Sequence, residues 1–551
     1  MREKIRRELV SILSELGIKD PNVEVLLTKN KEHGDLYSPI AMKYAKVLGM
    51  PAVQLGEEIQ QRLLSSNLND VIEKVEVRPP GFVNIFLSPN VIRNYLVEVL
   101  ETGEIPVKGF LPESERKNVL LEFVSANPTG PLSIAHARQA AVGDALARIM
   151  RFAGHNVHTE YYLNDVGVQI KLLGQSLKER CKEVLGLGCA IPEGGYKGEY
   201  LKALAGKFLS VWRDKIGDID SVDIEEFSRF AVGEILSMIR QELARFGVKF
   251  DSWYSQEVME KSGKVEQAIS LLQEKNLIYK KDGAVWFASS RFGDDKDRVM
   301  IKSDGSKTYF TADIGYHRDK FLRGYDYLIN IWGPDHHGYI PRVKASIAAM
   351  GFDPNALQVV IVQLVTLYRD GEPIPMSTRQ GKYITIDELM DEVGVDAARF
   401  FLLMRKTSSH LDFDLDLAKR QAPENPVYYV QYAHARACRI LEMAQTGGLL
   451  VSSKRFAESF GLSKSEEEED LISALLRFRD VIEACLFDTD PYPLVDYLRT
   501  LSTTFHRFYE KCRVLGEENN VSLFRLGLVK TTQITLRSGL SLLGVSAPDR
   551  M

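Results

Sequence analysis

Three short segments carry residues from which chemistry could be built. The first is Ser125-Ala126-Asn127-Pro128-Thr129-Gly130-Pro131-Leu132-Ser133-Ile134-Ala135-His136, between an apolar run at 119–124 and an amphipathic stretch at 135–153. A strand–loop–helix junction of this kind presents free backbone N–H groups and the positive end of a helix dipole to a phosphate. Ala135 is small enough for a nucleotide to approach the backbone. His136 can donate a hydrogen bond to a phosphate oxygen that gains charge during in-line displacement, and Ser133 offers a hydroxyl toward the same place. By itself the segment fits a capped structural turn equally well. The second segment is Pro375-Met376-Ser377-Thr378-Arg379-Gln380-Gly381-Lys382, a polar turn combining hydroxyls with the permanently charged Arg379. That combination suits charge stabilisation on pyrophosphate, although alone it reads as an exposed loop. The third, Gly333-Pro334-Asp335-His336-His337-Gly338, closes an apolar run at 327–332 and could hold a ribose or an adenine edge. Its paired histidines raise the thought of a metal, but no further ligands are spaced to complete a set, so no dedicated metal site is expected.

The elements around these segments predict how they are positioned. The order from 118 onward is strand, Pro/Gly loop, helix at 135–153, strand at 157–163, which opens a parallel doubly wound sheet. A strand at 327–332, a helix at 342–350 and a strand at 359–365 continue it, and the helical stretch 171–280 reads as an insertion. The predicted catalytic unit spans 115–395. Before it, residues 1–110 predict a small α+β domain: a helix to residue 16, a strand at 23–27, helices at 40–45 and 55–64, and strands at 75–77 and 83–87 around Pro79-Pro80-Gly81. After it, 397–551 is nearly all helical pattern and predicts a separate all-α domain.

Composition bounds the rest. A chain of 551 residues implies several domains, because single cores rarely grow past about 250–300 residues. No apolar run is long enough to cross a bilayer, and the charged amphipathic start lacks the apolar block of a secretory signal, so a cytoplasmic protein is expected. Five cysteines, Cys181, Cys189, Cys438, Cys485 and Cys512, are an odd number with no C-x-x-C pair. They argue against a disulfide framework and a thiolate zinc site. The net charge of −5 weighs weakly against nonspecific nucleic-acid binding but leaves room for a local basic surface.

Taken together, the segments resemble the class I aminoacyl-tRNA synthetases, and among them the arginyl-tRNA synthetases. The first segment is similar to that family's H-I-G-H signature with its N-P-T-G-P-L lead-in, the second to its K-M-S-K-S signature. The resemblance extends over nearly the whole chain, through Tyr162-Leu163-Asn164-Asp165-Val166-Gly167-Val168-Gln169, Tyr309-Phe310-Thr311-Ala312-Asp313 and Asn425-Pro426-Val427-Tyr428-Tyr429-Val430-Gln431-Tyr432-Ala433-His434-Ala435-Arg436 to the C-terminal residues. It implies a Rossmann-type catalytic domain that binds ATP with Mg²⁺ and forms arginyl-adenylate. The arginyl group is then transferred to the terminal adenosine of tRNA(Arg) by an enzyme that is usually a monomer. A non-catalytic tRNA-binding paralogue is the alternative. The ATP contacts are expected at Pro128, Gly130, Ala135, His136, Gly333, Asp335, His336 and Met376, with His136, Ser133, Ser377 and Arg379 acting on the phosphates. The resemblance places arginine against Asn127, Ser125, Tyr309 and Asp313, and the family's W-x-S-E appears as Trp253-Tyr254-Ser255-Gln256-Glu257, so that either Gln256 or Glu257 completes the pocket. A carboxylate at 313 would pair directionally with a planar guanidinium. Tyr429, Tyr432 and Arg436 share one helix face that could stack on unpaired anticodon bases, and Phe82 and Asn84 are candidates for the tRNA elbow. The chain departs from the pattern at Ser133 and Ala135, where His and Gly are usual, and at Pro375 and Thr378, where lysines are usual. Gly130 stands where some relatives carry a compensating lysine. Arg379, then Lys382, is the expected substitute cation.

Overall fold

The structure, a computed structural model, describes residues 2–28, 31–106, 110–212, 219–375, 383–461 and 465–551. Its centre is a five-stranded parallel sheet of β1 (Asn118–Glu122), β2 (Asn156–Leu163), β3 (Ser252–Ser255), β4 (Tyr327–Trp332) and β5 (Leu357–Ile361), in the spatial order β5–β4–β1–β2–β3. Val119, Leu120 and Leu121 of β1 are fully buried, as expected of a strand covered on both faces. The order reverses direction between β1 and β4, so a crevice opens beyond their carboxyl ends. The first and third chemical segments follow β1 and β4, and the sheet therefore makes them neighbours.

Helix α1 (Ile134–Ala153) leaves β1 through the nucleotide loop and ends at Gly154 in the left-handed region, φ +107°. It lies close to the sheet because residue 143 is glycine: a Cβ there would fall 2.3 Å from the Phe123 ring. Helices α2 (Tyr309–Leu322) and α3 (Ile340–Met350) complete the catalytic unit beside β4.

Two expectations change here, and one sheet is new. The apolar run at 359–365 is not one strand: β5 stops at Ile361, and Val365–Arg369 joins a second small sheet, parallel to Leu411–Asp414. The stretch 171–280 is not wholly an insertion, since β3 inside it is the edge of the central sheet; four residues are too few to show a period. A three-stranded antiparallel sheet, Ile278–Lys281, Ala284–Phe287 and Arg298–Ile301, also lies between β3 and α2.

The N-terminal part has its own core around Ile5, Leu9, Ile40, Leu55, Val83 and Ile85, under a four-stranded sheet in which Ile72–Arg78 and Phe82–Leu87 pair antiparallel. Only Leu26–Leu27 of the expected 23–27 strand is paired. Helix Pro89–Thr102, unanticipated, buries Leu96 and Val99 in the large core shared with the C-terminal helices. Those helices include α4 (Pro426–Thr446), α5 (Tyr492–Lys511) and α6 (Asn519–Leu542). Among the described residues no helix is long and apolar enough to cross a membrane.

Candidate active site at the ends of the parallel strands

The nucleotide loop is held from several sides. Val124 and Ser125 take left-handed backbone angles, φ 68° and 42°, a costly conformation for a β-branched residue and one found most often where function needs it. The Ser125 hydroxyl donates to Glu122 Oε1 at 3.0 Å and accepts from Tyr162 N–H at 3.1 Å, locking the ends of β1 and β2 together. Tyr161 donates to the Ala126 carbonyl at 2.9 Å and Tyr383 to that of Pro131 at 3.1 Å, while Tyr200 donates to that of Thr129. Ser133 pairs with Thr385 in an isolated bridge. A Cβ at 130 would lie 3.2 Å from the Tyr200 hydroxyl, a tight contact to which Tyr200 would have to yield.

At the head of α1 the Ser133 N–H donates to Nδ1 of His136 at 3.1 Å. The ring proton is thereby assigned to Nε2, at the end of the ring away from the cap. Desolvation lowers the His136 pKa to about 4, so the imidazole is a neutral donor at physiological pH. The Ser133 hydroxyl, expected to face phosphate, instead lies 3.2 Å from the same Nδ1, and the residue is buried. Asn127 is partly exposed and donates to Gln169 Oε1 at 2.6 Å. Pro128 is buried, whereas Gly130 and Ala135 are partly exposed.

Asp313 lies in the second turn of α2. Burial pushes its carboxyl up to about 6, opposed by a hydrogen bond from Tyr339, with Glu122 adding to the rise and Lys320 and His336 countering it. Beneath it runs a fully assigned relay that the sequence did not reveal. Lys320, fully buried, donates to Glu122 Oε2 at 2.6 Å and to Asn330 Oδ1 at 2.9 Å. Asn330 Nδ2 then lies 3.0 Å from His317 Nε2, and His317 Nδ1 lies 2.9 Å from the Asp313 carbonyl. With Nδ1 protonated every member has a partner, and burial holds His317 neutral by lowering its pKa to about 3. Tyr309 is exposed, its hydroxyl over Gly167.

Of the two pocket alternatives, Gln256 is buried and donates to Glu260 Oε1 at 2.8 Å, whereas Glu257 is exposed and ion-paired with Lys261 at 2.6 Å. Gly333 begins a 3₁₀ turn, Pro334–Tyr339, in which Asp335 and His336 are exposed and 3.1 Å apart. Met376, Ser377 and Arg379, with Thr378 and Lys382, lie outside the described residues.

On α4, Tyr429, Tyr432 and Arg436 form a continuous face with α5. Arg436 donates to the Tyr432 hydroxyl at 2.9 Å and lies 3.1 Å from His506 Nδ1, and the Tyr429 and His506 rings are 4.8 Å apart. His506 escaped sequence reasoning because only packing of α5 on α4 brings it there. A cavity of about 310 Å³ beside Tyr429 is lined by Glu424, Asp496, Arg499 and Thr503. Phe82 is partly buried against Tyr37. Asn84, at 3% exposure, has no surface for RNA as the sheet stands.

A cavity of about 1000 Å³ lies elsewhere, between the N-terminal part and the C-terminal helices, lined by Arg2, Tyr95, Arg477 and Asp480 among others; size alone does not mark the reacting groups. Among the described residues His434, Cys438 and Asp549 come close enough to share an ion. However, His434 Nδ1 is committed to the Pro548 carbonyl at 3.0 Å, and Cys438 Sγ stands 3.8 and 3.9 Å from the two ring nitrogens, off the lone-pair axis of either. The cluster packs the C-terminal tail onto α4.

Comparison with known proteins agrees with this geometry. The family described as "tRNA synthetases class I (R), catalytic domain" matches residues 106–412, "Arginyl tRNA synthetase N terminal domain" matches 1–87, and "DALR anticodon binding domain" matches 430–551. The chain belongs to the arginyl-tRNA synthetase family. Within this family, the arginine–tRNA ligase 1 of Halalkalibacterium halodurans is 43% identical over 100% of this chain and 99% of its own length. The arginine–tRNA ligase of Bacillus subtilis is 41% identical with the same coverage. Among solved structures, a putative arginyl-tRNA synthetase from Campylobacter jejuni has a TM-score of 0.76 at 36% identity, covering 84% of this chain and 100% of that one. The Thermus thermophilus arginyl-tRNA synthetase has a TM-score of 0.79 at 21% identity, covering 100% of both chains, a likeness of fold.

Proposed function

We propose that this chain is an arginine–tRNA ligase that takes Mg-ATP, L-arginine and tRNA(Arg) as substrates. What supports the reading is the family match together with Asp313, a half-buried carboxylate whose electrostatic neighbours Glu122 and His336 stand at and just beyond the carboxyl ends of β1 and β4, and the neutral imidazole of His136 at the head of α1, which follows β1. The arginine guanidinium pairs with Asp313, with Tyr309, Asn127, Ser125 and the Gln256 side of the pocket around it. Its carboxylate attacks the α-phosphorus in line, the bond to the β-phosphate oxygen breaks, and pyrophosphate leaves. His136 donates from Nε2 to a phosphate oxygen as its charge rises, and Pro128, Gly130, Ala135, Gly333, Asp335 and His336 line the nucleotide. Met376, Ser377 and Arg379 attend the pyrophosphate. A ribose hydroxyl of the terminal adenosine of tRNA then attacks the arginyl carbonyl and AMP leaves.

In this reading residues 1–110 touch the tRNA elbow through Phe82, 115–395 catalyse, and 397–551 hold the anticodon on Tyr429, Tyr432 and Arg436. The protein works as a cytoplasmic monomer. The alternative, a tRNA-binding paralogue without catalysis, is disfavoured by the presence of Asn127, His136 and Asp313 together. Incubating the purified protein with Mg-ATP, bulk tRNA and each amino acid in turn tests the proposal: arginyl-tRNA alone should form. Charging with another amino acid, or tRNA binding without any charging, would overturn it.

A further inference from the structure

The helical insertion reaches the back of the nucleotide loop through one buried acid. Glu242, in the last turn of helix Ile224–Arg245, is 3% exposed, and its Oε2 accepts from the Leu132 N–H at 3.2 Å. Leu132 immediately precedes Ser133, the cap of α1. The loop's other anchors, Tyr161, Tyr200, Tyr383 and the Ile386 N–H, which reaches the Leu132 carbonyl at 2.9 Å, all take carbonyls. Glu242 takes an N–H. The titratable groups that face it are Tyr161 from β2, Tyr383 from the segment leading into helix Ile386–Val393, and Asp387 on that helix; none is a cation. Arg245, one turn away on its own helix, is engaged by Asp387 at 3.1 Å and by Asp391.

We propose that Glu242 is a positioning residue for the nucleotide: its carboxylate holds the Leu132 N–H and so fixes the turn that aims His136 at the phosphates. The inference rests on the ligase reading above. A buried carboxylate without a cation is costly, and the donor it satisfies would be orphaned without it. Burial raises the Glu242 pKa to about 7, so its charge, and the strength of the bond it accepts, changes across the neutral range.

Full-length wild type, Glu242→Gln and Glu242→Leu are compared by steady-state aminoacylation from about pH 5.5 to 8.5 and by amide hydrogen exchange of residues 127–136. Glu242→Leu is expected to raise KM for ATP by about tenfold or more while leaving KM for arginine within about twofold, with faster exchange in the loop. Glu242→Gln, a neutral acceptor like the protonated acid, is expected to show at every pH the intermediate KM for ATP that wild type reaches at the acid end, and so to lose the acid limb near neutrality in kcat/KM for ATP. The proposal is overturned if Glu242→Leu leaves KM for ATP and loop exchange unchanged, or if the Gln profile superposes on wild type. Should Glu242→Leu not fold, the Gln profile decides. Should wild type not charge tRNA with arginine, the ligase reading fails, and loop exchange still reports whether Glu242 holds the turn.

Discussion

His136 owes its chemistry to two local facts, a backbone donor on Nδ1 and a desolvated ring. Both keep it a neutral donor. His136→Ala is therefore expected to lower the rate of arginine activation by about 10²–10³-fold with little change in tRNA affinity; equal loss of both, in pyrophosphate exchange and filter-binding assays, would make the residue structural. Asp313 sets a pH limit of its own. Its carboxyl titrates near 6 when the pocket is empty, and an arginine guanidinium would lower that value, so binding releases a proton below it. Arginine affinity should be flat above about pH 6 and fall by up to about tenfold per unit below it, as calorimetry in two buffers would read. The same upward shift makes ionised Asp313 a burden on the empty fold: its contribution to stability is present at low pH and lost as pH rises through about 6. His136 and Asp313 were legible as residue types in recognised segments. Tyr339 and Lys320, which tune Asp313, were not, because nothing local marks a side chain that bonds across the sheet.

Helix α2 shows what an element adds. It carries Asp313, His317 and Lys320, and the relay through Asn330 to Glu122 ties one face of the helix to β4 and β1. Lys320→Met would leave Glu122 buried and unpaired, at a cost of about 3–5 kcal/mol. The expected result is a lower melting temperature, partly recovered when Glu122→Leu is added; additive losses would mean that the pair is not coupled. α1, between Ser133 and Gly154, was readable from period and punctuation, whereas helix Pro89–Thr102, though capped by Ser88 and Gly103, was not anticipated. β3 and the break between Ile361 and Val365 were not: β3 has only four residues, too few to show a period, and the run from Val359 to Val365 is apolar except for Gln363, with nothing local to mark the end of a strand.

Arg399 links regions far apart in the chain. Fully buried, it pairs with Asp144 of α1 at 2.5 Å, donates to the Phe246 carbonyl at 2.9 Å after the insertion, and donates to the Leu543 carbonyl at 3.0 Å after α6. Gly544, at φ +68°, leaves space for it: a Cβ there would fall 2.2 Å from the guanidinium. Arg399→Met is expected to cost about 3–5 kcal/mol and to split one calorimetric transition into two as the catalytic and helical parts uncouple; a single transition at the wild-type temperature would contradict that. Arg436, on the helix face proposed to meet the anticodon, belongs to this scale as well. Arg436→Ala should raise KM for tRNA by about tenfold and leave the tRNA-saturated rate near wild type, and a loss confined to that rate would place its role elsewhere.

The sequence by itself determined the doubly wound sheet, because it is written in hydrophobic periods, caps and turns of neighbouring residues, and through segments that resemble a family it predicted the loop proposed for the nucleotide and the carboxylate proposed for the guanidinium. Only the tertiary structure decided which groups are charged and which are held. It made His136 neutral, raised Asp313, turned Glu257 to solvent and Gln256 inward, and buried Glu242, Lys320 and Arg399 against partners scores of residues away. Protonation and orientation follow from desolvation and from long-range hydrogen bonds, and those exist only once the chain has closed on itself.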